Sequence, residues 1–292
     1  MKNWLRTPSH KIYSIARIGS YFFQRLQAIK QHFHQRSLLR FGALFLVGIS
    51  LSVAIAACSG SNANVDAKPD VKLKLVSYSV TQAAYDRIVP KFVEKWQKEH
   101  NQKVTIEQSY GASASQALTV VDGSQEADVV HLSLALDTAK LVQAGLIEPG
   151  WETEAPKGSI VSRSVVALVT REGNPKGIKT WEDLAKDGVK VITPNPKTSG
   201  GARWNFLALW GFVTRTGGNE SKAENFIAKV YKNAPVLPAS ARDATNLFFQ
   251  QGEGDVLINY ENEMILAEKT GRKLSYVIPN VNISIDNPVA VV

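Results

Sequence analysis

The sequence predicts an α/β protein whose sheets are mostly parallel. From Val71 to the end of the chain, strand-like and helix-like segments alternate. Repeated β-α-β order of this kind places helices against sheets of mostly parallel strands. The 292 residues are 44% apolar and 21% charged, a globular composition with enough length to bury a core. No fixed-period repeat is visible, so a solenoid is not predicted.

The individual elements follow from the spacing of apolar residues. Alternation with a period of two predicts strands, and apolar residues three or four apart predict helices. The predicted strands are 72–78, 104–106, 127–133, 161–170, 190–193, 255–259, 274–278 and 289–292. The predicted helices are 83–100, a segment through 117–121, 138–144, one capped by Thr180, 202–214, 220–231 and 261–269.

The first 57 residues are predicted to form an export leader. They hold eight basic residues and no acidic ones, and 41–57 is an uncharged apolar run ending in Ala56 and Ala57. A basic region, an apolar run and small residues are typical of a secretion signal. The segment before Cys58 also resembles the lipobox of bacterial lipoproteins, in which the cysteine is acylated. The alternative is an uncleaved membrane anchor, and both readings place the body outside the cytoplasm. Residues 58–70 are then a flexible tether.

The charge distribution argues against nucleic-acid binding. The chain carries +8 overall, but removing the eight leader residues from the 34 basic ones leaves 26, against 26 acidic residues. The body is therefore neutral and lacks the basic face that a phosphate backbone requires. His100 and His131 are the histidines outside the leader, and Cys58 is the single cysteine. These residues cannot form a closed zinc site, and we expect no metal and no cofactor.

Three loops rich in small residues lie at 110–115, 198–202 and 239–243, and each is interpreted as a connection between a strand and a helix. A helix N-terminus exposes unpaired N–H groups and a partial positive charge, and small side chains let an anion approach them. Serine and threonine add hydroxyl donors, so such loops suit sulfate or phosphate. Each loop alone could equally be a simple helix cap.

Five segments resemble those of a known protein family. The resemblance extends over residues 71–292. They are ITPNPKTSGGARWN (192–205), QSYGASASQA (108–117), KNAPVLPASAR (232–242), GDVLINYENE (254–263) and REGNPKGIKTWEDL (171–184). These segments resemble periplasmic sulfate-binding proteins. The resemblance implies a two-lobed periplasmic-binding-protein fold of type II, with the anion in the cleft between lobes. It implies a first lobe of 71–168 with 279–292, a second lobe of 169–278, and family helices after 292 that this sequence lacks.

The same resemblance implies a ligand set of uncharged donors. Tyr260 takes the place of the family's usual Trp, and Arg242 is expected to support the site without contacting the ligand. The implied backbone and hydroxyl donors are Ser79, Ser113, Ser199, Gly200, Gly201, Ala241 and Tyr260. Ser199 would donate its hydroxyl, and Tyr260 its phenol in place of an indole N–H.

The resemblance implies a receptor that catalyses nothing. It would be a periplasmic, lipid-anchored monomer that binds sulfate or thiosulfate and delivers it to the permease subunits of an ABC importer. Two alternatives remain: a receptor for another tetrahedral oxyanion such as molybdate or phosphate, and a membrane-anchored hydrolase using Ser113 or Ser199. We expect Glu261 and Glu263 to be solvated charges, and His131 to be a structural histidine within a buried strand.

Overall fold

The structure is a computed structural model that describes residues 68–292. The predictions about the leader, about Cys58 and about most of the tether lie outside these residues. The strands are β1 Val71–Tyr78, β2 Val104–Gly111, β3 Val129–His131, β4 Ile160–Ser164, β5 Val166–Thr170, β6 Val191–Ile192, β7 Val256–Tyr260, β8 Ser275–Val277 and β9 Ile285–Val291. The α-helices are α1 Gln82–His100, α2 Ser113–Val121, α3 Ala135–Gln143, α4 Gly200–Arg215, α5 Glu220–Lys232, α6 Ala241–Phe249 and α7 Glu261–Lys269.

Two separate sheets organise the fold, and we refer to each sheet with its helices as a lobe. The first lobe has a five-stranded sheet in the order β2-β1-β3-β9-β4, and the second has a four-stranded sheet in the order β6-β7-β5-β8. Leu132 and Trp151 are buried in the core of the first lobe, whereas Trp181 and Leu209 are buried in a core of the second lobe that also takes in Tyr78 and Ile285 from β1 and β9. The α/β class and the two-lobed arrangement are thus confirmed.

The expectation of mostly parallel sheets was wrong. In the described region β1 runs parallel to β2 and β3, and β6 runs parallel to β7. The other pairings are antiparallel: β9 with β3 and β4, and β5 with β7 and β8. The reason is that β5 and β9 are the first strands after the chain crosses from one sheet to the other. Each of them runs antiparallel to both of its neighbours in the sheet that it enters.

The chain crosses between the two sheets at two places. The predicted strand 161–170 is two strands: β4 belongs to the first sheet, β5 to the second, and Val165 stands between them. The chain returns between Val277 and Ile285. The lobe ranges expected from the sequence remain a prediction; the chain changes from the first sheet to the second at Val165.

Side-chain caps fix where the helices of the second lobe begin. Ser199 Oγ accepts from the backbone N–H of Ala202 at 3.3 Å, which starts α4 at Gly200. Ser240 and Asp243 form a reciprocal capping box that starts α6 at Ala241. The helix expected after Thr180 is only a 3₁₀ turn, Glu182–Ala185.

Helix α1 contributes little to the core. None of its residues is fully buried, and Ile88 and Phe92 on its apolar face remain exposed. An apolar cavity of about 260 Å³ lies between this helix and the strands beneath it. No helix within residues 68–292 is both long and apolar enough to cross a membrane.

Candidate functional site

The predicted ligand segments from both lobes meet at one place. The backbone N–H of Ala114, at the start of α2, donates to the carbonyl of Thr198 in the second lobe at 2.9 Å. The 3₁₀ helix Ser79–Thr81, which follows β1, packs against α6. Because α2, α4 and α6 all begin here, their unpaired N–H groups give the junction a positive electrostatic character without a charged side chain.

Gly200 allows the lobes to approach at backbone distance, and Gly201 allows Tyr260 and Ala241 of its own lobe to pack against the start of α4. A Cβ at Gly200 would lie 2.5 Å from both Cβ and Oγ of Ser133, in the other lobe. A Cβ at Gly201 would lie 2.8 Å from Cε2 of Tyr260 and 3.2 Å from Cβ of Ala241. These distances are far inside ordinary van der Waals contact. Any side chain at Gly200 would therefore hold the lobes apart.

The two predicted serine hydroxyls differ in what they can still do. Ser199 Oγ accepts from Ala202 N, which leaves its hydrogen available to a ligand. Ser113 Oγ accepts from the N–H of Ser133 at 2.9 Å and donates to Asp137 Oδ2 at 2.8 Å. Because the hydroxyl of Ser113 is occupied, only its backbone N–H can serve an anion, as the family resemblance implies.

Tyr260 ends β7 and is buried between the lobes. Its hydroxyl oxygen lies 2.6 Å from Ser133 Oγ, and its ring lies 6.2 Å from that of Tyr78. Burial raises the pKa of the Tyr260 hydroxyl well above its usual value, with the neighbouring Tyr78 as a further cause. The phenol therefore stays protonated at neutral pH and remains a hydrogen-bond donor.

A buried ion pair joins the lobes beside these groups. Asp137 on α3 is completely buried, and its Oδ1 accepts from Arg203 Nη1 of α4 at 2.5 Å and from Lys140 Nζ at 3.1 Å. Arg203 therefore bridges the cleft by its charge, while Lys140 belongs to the same helix as Asp137. The sequence analysis singled out neither Asp137 nor Arg203.

Arg242 is held by a second buried carboxylate. Its Nη2 lies 2.9 Å from Oε1 of Glu263 and 3.5 Å from the carbonyl oxygen of Val80. Glu263 also accepts from Thr245 Oγ1 at 3.1 Å. The expectation that Glu263 is solvated was wrong, because the first turn of α7 directs it against α6. Burial raises the pKa of the Glu263 carboxyl, and the Arg242 guanidinium opposes that rise.

Sequence comparison identifies the relatives of this chain. The profile of the family described as "Bacterial extracellular solute-binding protein" matches residues 73–292. This chain belongs to the bacterial extracellular solute-binding protein family. A sulfate-binding protein from Synechococcus elongatus is 52% identical over 266 residues, which cover 90% of this chain and 75% of that protein. A thiosulfate-binding protein from Pseudomonas aeruginosa is 42% identical over 74% of this chain and 66% of that protein.

Comparison with solved structures supports the same family. The sulfate-binding protein SubI from Mycobacterium tuberculosis matches this solute-binding protein with a TM-score of 0.69 and 40% identity, over 76% of this chain and 75% of SubI. The relatives are named as binding proteins, and the family description places the protein outside the cytoplasm. The assignment of individual ligand residues, from Ser79 to Tyr260 with Arg242 in support, stays a prediction.

Ser133 is the central residue that the sequence analysis missed in this solute-binding protein. It lies two residues after the end of β3, and its carbonyl accepts from Trp204 Nε1 at 2.8 Å and from Asn287 Nδ2 at 2.7 Å. Ligands of α/β proteins bind beyond the carboxyl ends of the strands. That position was the available signal, since Ser133 is the last residue of the predicted strand 127–133.

His131 should make the folding stability of the solute-binding protein depend on pH. Its Nδ1 is 2.9 Å from the Tyr85 hydroxyl, and Nε2 has no partner among the described residues. Burial lowers the pKa of His131 from 6.5 to about 4. Between these values the unfolded chain binds a proton that the folded protein does not. The free energy of unfolding should therefore be highest above pH 6.5 and fall by up to about 1.4 kcal/mol per pH unit towards pH 4.

Denaturant unfolding between pH 5 and 8 measures this dependence. His131→Gln, which keeps a partner for Tyr85, should flatten the slope below pH 6.5. His100→Gln is the matched control, since the His100 ring lies 4.0 Å from the Trp96 ring, tilted against it, at the partly exposed end of α1. The control should keep the wild-type slope. An unchanged slope in His131→Gln would show that other groups cause the acid sensitivity.

Proposed function

We propose that this solute-binding protein captures sulfate or thiosulfate between its lobes and delivers it to the membrane subunits of an ABC importer. The observation that carries the proposal is the meeting of three helix N-termini, those of α2, α4 and α6, with the hydroxyls of Ser199 and Tyr260. The names of its relatives, sulfate-binding and thiosulfate-binding proteins, support the same ligand class.

The donors at this junction are electrically neutral. The nearby cations Arg203 and Arg242 are engaged by the buried carboxylates Asp137 and Glu263, so neither is free to neutralise a ligand. A dianion is then held by backbone N–H groups, helix dipoles and hydroxyls. Such a site avoids the desolvation of an unpaired lysine or arginine.

Neutral donors favour sulfate over phosphate. Sulfate is fully ionised at neutral pH and only accepts hydrogen bonds, whereas phosphate retains a proton that needs an acceptor. A buried donor without a partner costs roughly 1–3 kcal/mol, so phosphate should bind about 5- to 160-fold more weakly. We propose no catalytic role for the serines, and the engagement of the Ser113 hydroxyl by Asp137 supports this.

Export and anchoring complete the proposal. The basic and apolar leader followed by Cys58 supports a lipid-anchored protein on the outer face of the cytoplasmic membrane, acting as a monomer. Closure would bend the chain at Val165 and between Val277 and Ile285, and ligand contacts to both lobes would stabilise the closed state.

Calorimetric titration of the full-length chain, kept in solution by a mild detergent, tests the ligand class. Sulfate, thiosulfate, molybdate and phosphate are titrated at neutral pH. We expect binding of sulfate or thiosulfate and no measurable heat from phosphate at the same concentrations. A folded protein that binds none of the four anions would contradict the proposed function. A preference for molybdate or phosphate would show that the protein is a receptor for that anion and not for sulfate.

A further inference from the structure

Ser133 contacts three of the predicted ligand residues. Its N–H donates to Ser113 Oγ at 2.9 Å, Gly200 lies against its side chain, and its Oγ is 2.6 Å from the Tyr260 hydroxyl. The residue has no exposed surface. It therefore lies where the first lobe meets both α4 and β7 of the second.

Within residues 68–292, the hydroxyl of Ser133 has one hydrogen-bond partner. The backbone N–H and carbonyl of Ser133 are engaged by Ser113, Trp204 and Asn287, and these bonds do not involve the side chain. The one hydrogen bond recorded for Oγ in the described region joins it to Tyr260, in the opposite lobe. Removing Oγ therefore deletes a contact between lobes and leaves the bonds within the first lobe intact.

The hydroxyls of Ser133 and Tyr260 have two hydrogens between them, and their mutual bond uses one of these. Whichever oxygen donates, one hydrogen lies between Ser133 Oγ and the Tyr260 oxygen, and one hydrogen remains to point elsewhere. In a buried junction a free phenol would rotate about its C–O bond. Pairing with Ser133 restricts that rotation, so once the lobes close the remaining donor is fixed in direction towards the anion.

We propose that Ser133 is a positioning residue of the anion site, which orients the hydroxyl of Tyr260 across the cleft and so couples lobe closure to anion binding. This inference rests on the proposed function. Ser133 acts through Tyr260 and belongs to the lobe that must move towards it. Its contribution therefore arises only in the closed, liganded state.

A double-mutant cycle in the full-length chain tests the inference. Sulfate dissociation constants are measured for the wild type, Ser133→Ala, Tyr260→Phe and the double variant. The loss of one hydrogen bond should weaken sulfate binding by Ser133→Ala roughly 2- to 12-fold. The double variant should bind no more weakly than Tyr260→Phe, because Ser133 acts through the hydroxyl already removed.

Thermal unfolding separates this role from an ordinary structural one. Without sulfate, Ser133→Ala should keep the wild-type Tm, whereas its rise in Tm on adding sulfate should be smaller. Ser159→Ala is the matched control: its buried hydroxyl bonds Trp151 O and Ala155 N within the first lobe. That control should lower Tm with and without sulfate and leave the sulfate affinity unchanged.

The outcomes distinguish the two proposals. If the wild type binds no sulfate, the proposed function fails. If the wild type binds sulfate but Ser133→Ala binds equally well, or the losses of the two single variants add, the role of Ser133 is overturned. If Ser133→Ala does not fold, Ser133→Gly removes the same hydroxyl and is measured in its place, with the same result expected.

Discussion

Substitution of Gly200 by alanine should reduce sulfate affinity by at least about 100-fold. The added Cβ would lie 2.5 Å from Cβ and Oγ of Ser133 and 2.7 Å from Cδ2 of Leu134, both in the opposite lobe. Overpacking of this kind costs about 1–3 kcal/mol, and here it is relieved only by leaving the cleft partly open. An open cleft loses the contacts that one lobe makes with the anion, which adds to that cost.

The same substitution should not destabilise the protein without ligand. The clashing atoms belong to the other lobe, so they are absent when the lobes separate. Gly200 does not adopt a positive φ, and alanine is compatible with its helical position. Calorimetry should therefore show lost binding, and thermal unfolding without sulfate should show an unchanged or slightly higher Tm.

Gly211→Ala is the matched control on the same helix. A Cβ at Gly211 meets nothing within 4 Å, so the change should stabilise α4 by about 0.5–1 kcal/mol and leave sulfate affinity unaltered. Wild-type affinity in Gly200→Ala would show that the lobes do not need to approach this closely to bind an anion.

The fold was predictable from the sequence where local signals decide it. Periodicity located α1 and α7 to within a residue or two, since their patterns continue to the end of each helix. It failed for 161–170, because an unbroken run of strand-forming residues does not reveal that β4 and β5 belong to different sheets. Strand direction is likewise set by the route of the whole chain between lobes, which no local pattern contains.

The site was predictable where backbone groups form it. Small residues before helices pointed to the starts of α2, α4 and α6, and the structure brings these starts together. The residues that join the lobes gave no such signal. Ser133, Asp137 and Arg203 acquire their roles from partners 66 or more positions away, as in the Arg203–Asp137 and Ser133–Tyr260 contacts. Side-chain pairing over such distances follows from the fold, not from spacing.

Arg203→Met should weaken sulfate binding on the order of 30-fold. Asp137 is completely buried, and Arg203 is its partner from the opposite lobe at 2.5 Å. Breaking a fully buried ion pair costs about 3–5 kcal/mol. The cost is smaller here, because Arg203 is partly exposed and Lys140 remains beside Asp137. We therefore expect a loss of about 2 kcal/mol in the free energy of sulfate binding. Methionine keeps much of the apolar stem of arginine, so the lost affinity measures the effect of removing the positive charge.

The comparison with Lys140→Met shows whether the ion pair acts in closure. Lys140 lies on α3 together with Asp137, so it stabilises the carboxylate whether the lobes are open or closed. Its loss should lower Tm with and without sulfate, and it should change affinity little. Arg203→Met should instead leave the Tm of the unliganded protein nearly unchanged, because an open cleft hydrates Asp137. If both variants lower Tm equally and bind sulfate like the wild type, the Arg203–Asp137 pair supports the fold alone, and closure must depend on the backbone donors and the glycines.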